Sequence, residues 1–416
     1  MNNALGYWKS PWPGEDGGPS RLQIAPSITV RGKKAQVISR MSIVSTMTVL
    51  RDPGEVFLLC HTGGDEAVSW VERINPETLE TLARSGDLVA GPTWPGGIAA
   101  HANGYLYVVF GRYIHQLSSD LEVIKSLELP RNRPYNSFVI LDSGEIVLKD
   151  FGGARPGVPS TTHSVDCELL VIDPNTLTIL DSYLLNEGSV SRLSSKGRDT
   201  YVVTMTQLIR LHWDGKSLQR DDSFSATYVT EEGQEFAWDP VITKSDVWML
   251  DNGAGSQNFT TSLLGIGDAK TSQKLIRVSL SDASVTNYSV NDQVNSLVSN
   301  PPCIDEERQV AIGYDSAHGV VSAFAFDNSS TPLWSKKLNH AMHPILLPEE
   351  GVVMMNDFRV ETGLEDIVLL DVLTGEELHR VTTESPLQSV IFGSCGFSND
   401  LYVCSFSHVS RISFTT

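Results

Sequence analysis

Residues 238–253 read WDPVITKSDVWMLDNG. Two apolar runs flank a polar turn at Lys244, Ser245 and Asp246. Apolar residues alternating or running unbroken over four to eight positions, bounded by turn formers, are the mark of strands. A strand that descends and a strand that returns set Asp239 and Asp251 at the same end of one hairpin. The rest of the chain repeats this unit with variations.

The variations recur at a loose period of roughly 40 to 65 residues, a spacing typical of repeat architectures built from four-stranded units. Each unit has an apolar strand, a Gly/Asp/Asn turn, a strand rich in Val, Ile and aromatics, a third strand often ending in a Pro turn, and a more polar fourth. The first reads TMTVLRDPG, EVFLLCHTG, VSWVERINPET and LETLARS; six more follow. The eighth has only SVIFGSCGFSND, LYVCSFS and HVSRISF before Thr416. A missing fourth strand is expected to come from the other end of the chain, because closure removes two open sheet edges. Residues 21–30 and residues 34–39 are the two candidate donors. The expected fold is all-β: a single eight-bladed β-propeller with four-stranded blades, closed by an N-terminal strand that completes the last blade. Residues 1–40 form the arm and closing strand, and residues 41–416 the propeller.

The third-strand phrases LLVIDPNTLTILD (169–181) and IVLLDVLTGEELHR (367–380) resemble those of quinoprotein-like and lactonase-like propellers. The resemblance covers nearly the whole chain. It implies the fold and leaves the function open, since such propellers serve hydrolases, lyases, dehydrogenases and binding scaffolds alike.

Composition narrows the partners. The 416 residues carry a net charge of −19, with 41% hydrophobic and 19% charged residues. Such a balance argues against phosphate-driven nucleic-acid binding and against an anionic membrane surface. The five cysteines are odd in number and lie in apolar runs, as buried free thiols of a reducing compartment do. No apolar h-region opens the sequence, so a cytoplasmic location is expected, and the sequons at Asn258, Asn287 and Asn328 are read as chance matches. The oligomeric state is not legible.

In a propeller, the links between blades and the second-to-third strand loops share one face, here called the top. Four units carry matching polar residues there: Asn136 with Asp150, Asp239 with Asp251, Asn300 with Asp315, and His343 with Asp357. Three of the starting residues precede Pro, which fixes the strand entry. The loops 151–166 and 252–273 are long, as functional loops often are. Oxygens of Asp239, Asn300 and Asn136 suit a hard divalent cation, Ca²⁺ first. Asp251, Asp315, Asp357, Asp150, His343 and His318 are the candidate acids and bases. Lys149, Arg155, His163, Tyr314, Asn252 and Arg359 are the candidate substrate contacts. The expected function is a hydrolase or lyase that uses the cation on a small organic molecule at the top of the channel. The alternatives are metal-free acid/base isomerisation or elimination through an Asp–His or Asp–Lys pair, and a non-catalytic binding scaffold. Against every one of these acids stands a plainer role, since Asp and Asn at strand ends cap turns in all β-proteins.

Overall fold

The computed structural model describes residues 6–152, 166–234, 236–255, 259–327, 329–388 and 390–416. Among them are six four-stranded antiparallel sheets and one sheet of eight strands. The larger sheet is two blades fused by the long strand Lys34–Leu50. Its first part, from Lys34 to Met41, pairs with Phe406–Thr415 as the outermost strand of blade 8. The register then slips between Met41 and Ser45, and the same strand continues as the innermost strand of blade 1, paired with Val56–His61. The result is eight blades. Of the two expected donor segments, residues 34–41 supply the closing strand, and residues 21–30 do not.

The burial pattern follows the layering. Second strands such as Leu106–Phe110 and Asp246–Leu250 are buried along their whole length, because each is covered by the neighbouring blades on both faces. Fourth strands such as Val123–Glu128 are mostly exposed. All five cysteines are buried and free. No helix is long and apolar enough to cross a membrane among the described residues.

The arm is the departure from a plain ring. Residues 7–29 touch all eight blades. Tyr7 Oη accepts the Ile140 N–H of blade 3. Pro13 and Trp12 carbonyls take the N–H groups of Ala100 in blade 2 and Leu50 in blade 1. Pro19 and Ser20 carbonyls take those of Ser195 in blade 4 and Ile242 in blade 5. Gln23 donates to the Pro302 carbonyl of blade 6, and its own carbonyl accepts from Leu346 of blade 7. Thr29 N–H reaches Asn399 in blade 8. The backbone groups among these, at or beside the inner strands, have no partner strand across the axis, so the arm satisfies donors and acceptors that would otherwise be orphaned.

Candidate functional site

The arm brings charge into the axis. Its single 3-10 turn, Glu15–Gly17, sits between glycines that permit the tight path of GEDGG. Asp16 has φ 53° and Arg21 also φ 53°, a left-handed backbone that L-residues adopt at a cost. Around them stand residues two positions ahead of three inner strands: Arg192 before Ser194–Lys196 of blade 4, Asp239 before Val241–Ile242 of blade 5 and His343 before Ile345–Leu347 of blade 7. One ligand-type atom from each of Glu15, Asp16, Asp239 and His343 falls within 4.8 Å of the others. Asp16, Arg21, Asp239 and His343 are 0–3% exposed.

The contacts form one network. Arg21 donates to Asp16 Oδ2 at 2.7 Å, to Glu15 Oε2 at 3.1 Å and to the Leu193 carbonyl at 2.7 Å. Arg192 pairs with Glu15 Oε1 at 3.0 Å and donates to the carbonyls of Asn136 at 2.5 Å and Pro95 at 2.9 Å. Its backbone N–H donates to Asp239 Oδ1 at 2.6 Å. His343 Nδ1 lies 2.8 Å from Asp16 Oδ1, and the imidazole stacks on Phe392 at 4.3 Å. Burial alone would raise the Asp16 carboxyl, but His343 and Arg21 outweigh it and hold the group below the usual carboxylate range. An ionised Asp16 can only accept, so Nδ1 carries the proton. Asp239 goes the other way: burial raises it against the pull of Arg21 and Arg192. Its Oδ2 is buried without a hydrogen-bond partner.

Asn136 and Asn300 stand at the corresponding positions of blades 3 and 6. Each amide nitrogen donates to the link carbonyl of the next blade, Asn136 to Val190 at 3.4 Å and Asn300 to Ala341. Each amide oxygen is buried without a partner. Tyr314 is wholly buried and donates to the Pro301 carbonyl at 3.2 Å; burial first, then Asp239 and Asp16, raise its phenol well above the ordinary value. Lys149 donates to the carbonyls of Asp150 at 2.9 Å and Ser189 at 3.0 Å, and burial lowers its pKa.

The second-strand acids do not join this network. Asp150 accepts from the Glu168 N–H and pairs with Arg131 and Arg133. Asp251 accepts from Gln234, Gln273 and the Lys274 N–H. Asp315 accepts from the N–H groups of Leu297 and Ala317 and from His318 Nδ1 at 2.7 Å. Asp357 takes the Asn339 N–H and Arg380. Each is spent on capping its own loop or bracing the next strand, the role acids at strand ends usually have. Asn252 ties the carbonyls of Thr271 and Ser272, and Arg359 lies at the surface beside Glu361 and Asp366. Arg155 and His163 lie outside the described residues, as do the sequons' Asn258 and Asn328.

Four members of the network, Glu15, Asp16, Arg21 and Arg192, are not among the residues picked from the sequence. Arg192 carried a signal. In VSRLSS it stands just ahead of an inner strand, where other units have Asn136, Asp239, Asn300 and His343. The arm residues carried only the glycine-flanked acid pair of GEDGG, which reads equally well as a solvated turn.

A cavity of about 10 Å³, room for about one water, lies between the arm and blades 2 and 3 beside Tyr7, Glu15 and Arg21.

No family model matches the chain, and no curated protein matches it in sequence. Solved structures match it in shape. A europium-containing methanol dehydrogenase superposes with a TM-score of 0.65 at 8% identity, over 98% of this chain and 99% of that one. The Dos1 propeller gives 0.60 at 11% identity, over 92% and 95%. BamB from Moraxella catarrhalis gives 0.58 at 10% identity, over 90% and 100%. The likeness is one of fold, and with the blade count it makes the chain an eight-bladed β-propeller.

Proposed function

We propose that the chain is an enzyme that moves a proton on a small molecule, an isomerase or lyase working by acid/base catalysis at the axial cluster. The observation that supports it is the Asp16–His343 pair at 2.8 Å. Asp16 fixes the ring and its tautomer, which leaves Nε2 as the ring nitrogen that exchanges a proton with the substrate. Asp239, drawn towards its protonated form by burial, is the second proton carrier within reach. The cluster is closed, so turnover requires the top face or the arm to part around the substrate.

The test is hydrogen exchange in D₂O across a panel of small hydroxy acids, keto acids and sugars, followed by proton NMR. Exchange into one substrate class is expected, and His343→Gln should slow it by about 10²- to 10⁴-fold. Exchange that survives His343→Gln sinks the assignment.

A second reading keeps a divalent cation, Ca²⁺, assisting a hydrolase or lyase. It is favoured by the unpartnered oxygens of Asp239, Asn136 and Asn300. It is opposed by Arg21 and Arg192, which already occupy the oxygens of Glu15 and Asp16. Activity lost on chelation and restored by Ca²⁺ would select it over the first.

A further inference from the structure

Two coverings close the axial cluster, the arm and a loop of the top face, and they are held very differently. The arm is bonded to all eight blades, and Arg21 anchors it through Asp16, Glu15 and the Leu193 carbonyl. The loop is residues 259–273, which lead to the third strand of blade 5, Lys274–Ser279, and carry no strand themselves. From blade 5 they reach over blades 6, 7 and 8. Gly265 N–H donates to the Ala317 carbonyl of blade 6 at 3.0 Å. Leu263 is wholly buried in a small apolar cluster with Leu297, Ala317 and Ala341. Ala341 precedes His343 by two residues in the link that leads into blade 7, so the loop rests on the segment that carries His343. Phe259 meets the Phe406 ring of blade 8 edge-on at 6.4 Å.

The far end of the span hangs on one residue. Gln388, in the link between blades 7 and 8, accepts at Oε1 from Ser262 Oγ at 2.6 Å, from Leu263 N–H at 2.8 Å and from Leu264 N–H at 2.9 Å. Its own N–H donates to the Thr261 carbonyl at 3.1 Å. The amide cannot turn over, because Leu263 and Leu264 present only donors to it. Its Nε2 is therefore left buried with no acceptor among the described residues. A buried donor without a partner is costly, and opening to water removes that cost. The near end is fixed instead. Asn295 N–H donates to the Ala269 carbonyl at 2.6 Å, and a Cβ on Gly267 would strike the Asn295 carbonyl.

We propose that residues 259–266 are the lid of the axial site, latched by Gln388 and hinged at residues 267–269, and that substrate enters when this latch releases. The lid rests on the axial cluster being the site of the chemistry, and it names which of the two coverings parts. A segment held at one end by a single side chain opens at a fraction of the cost of one tied to every blade.

The test needs no substrate, so it reads the lid separately from the acid/base chemistry. Amide exchange of the full chain in D₂O compares Leu263 and Leu264 with Leu50, Ala100 and Leu346, whose N–H groups the arm carbonyls accept. In parallel, acylation of His343 by diethyl pyrocarbonate is followed by peptide mass. The two lid amides are expected to exchange about 100-fold faster than the three held by the arm. Gln388→Ala should speed the lid amides and the His343 labelling by about tenfold each and leave the arm-held amides unchanged. Ser262→Ala, which removes one latch bond from a partly exposed residue, serves as the second variant should the first fail to fold, with smaller shifts in the same direction. His343 labelling that stays constant while the lid amides quicken would overturn the proposal. Labelling that keeps pace with the arm-held amides would overturn it too, and make the arm the door. Labelling released by the latch in a chain that exchanges no substrate proton would uphold the lid and sink the acid/base reading alone.

Discussion

Asp251 is a buried acid with three N–H donors around it, and burial still pushes its pKa up to about 8, with Asp315 adding to the rise. In the unfolded chain the group titrates near an ordinary Asp, about 4. The folded state therefore holds a proton that the unfolded state has lost across the window from about pH 4 to 8, and stability falls as pH rises through it. Asp251→Asn removes this dependence. Urea midpoints measured from pH 5 to 8 should fall for the wild type and run flatter for the variant, a difference of at most about 5 kcal/mol over the full window. Identical slopes would show that the group ionises normally. At this scale the sequence was half legible. Asp239 and His343 carried their positions in the repeat, and the structure brings them together. Asp150, Asp251, Asp315 and Asp357 repeat just as regularly, yet they serve their own loops. A repeat marks equivalent backbone positions, and it does not say whether an oxygen there meets the axis or a neighbouring N–H.

The arm is the element that alters the reading of the molecule most. Residues 7–29 form no long strand, so their apolar pattern gave no period to follow, and only the finished ring shows where their groups go. The side chains confirm how firmly they are held. Trp12 is 1% exposed, packed in the core shared by blades 1, 7 and 8, while its carbonyl takes the Leu50 N–H. Trp12→Ala should cost about 3–5 kcal/mol, as large-to-small changes in a core do. Limited proteolysis is the sharper measurement: cleavage between residues 6 and 30 should speed up in the variant before the blades themselves are cut. Arm and blades cleaved at one common rate would mean that the arm has no separate stability. The left-handed residues Asp16 and Arg21 fit the same picture, since a strained path persists only where its surroundings over-determine it.

The whole molecule is closed at one seam. Residues 34–41 pair with the last strand from Thr415 back to His408, and this ladder alone joins the outer edge of blade 8 to the chain's beginning. In an antiparallel ladder, alternate residues donate across a given seam, so one of two neighbouring positions must lose a bond to proline. Of Ile38→Pro and Ser39→Pro, one should lower stability by about 3 kcal/mol or more, and the other by clearly less. Equal effects, read from urea melts, would mean that the seam carries little of the stability. The closure itself was foreseeable from a final unit with three strands and a preceding tail. Which tail segment supplies it was not, because residues 21–30 have the same strand-like composition as residues 34–41.

That belt of backbone contacts has a consequence for how the protein is made. Residues 7–29 leave the ribosome long before residues 392–415, yet each contact they make lies on a blade synthesised after them. The early blades can take up Trp12 and Pro13 as soon as they form, but the far end of the arm, at Gln23 and Thr29, cannot settle until Leu346 and Asn399 have been made.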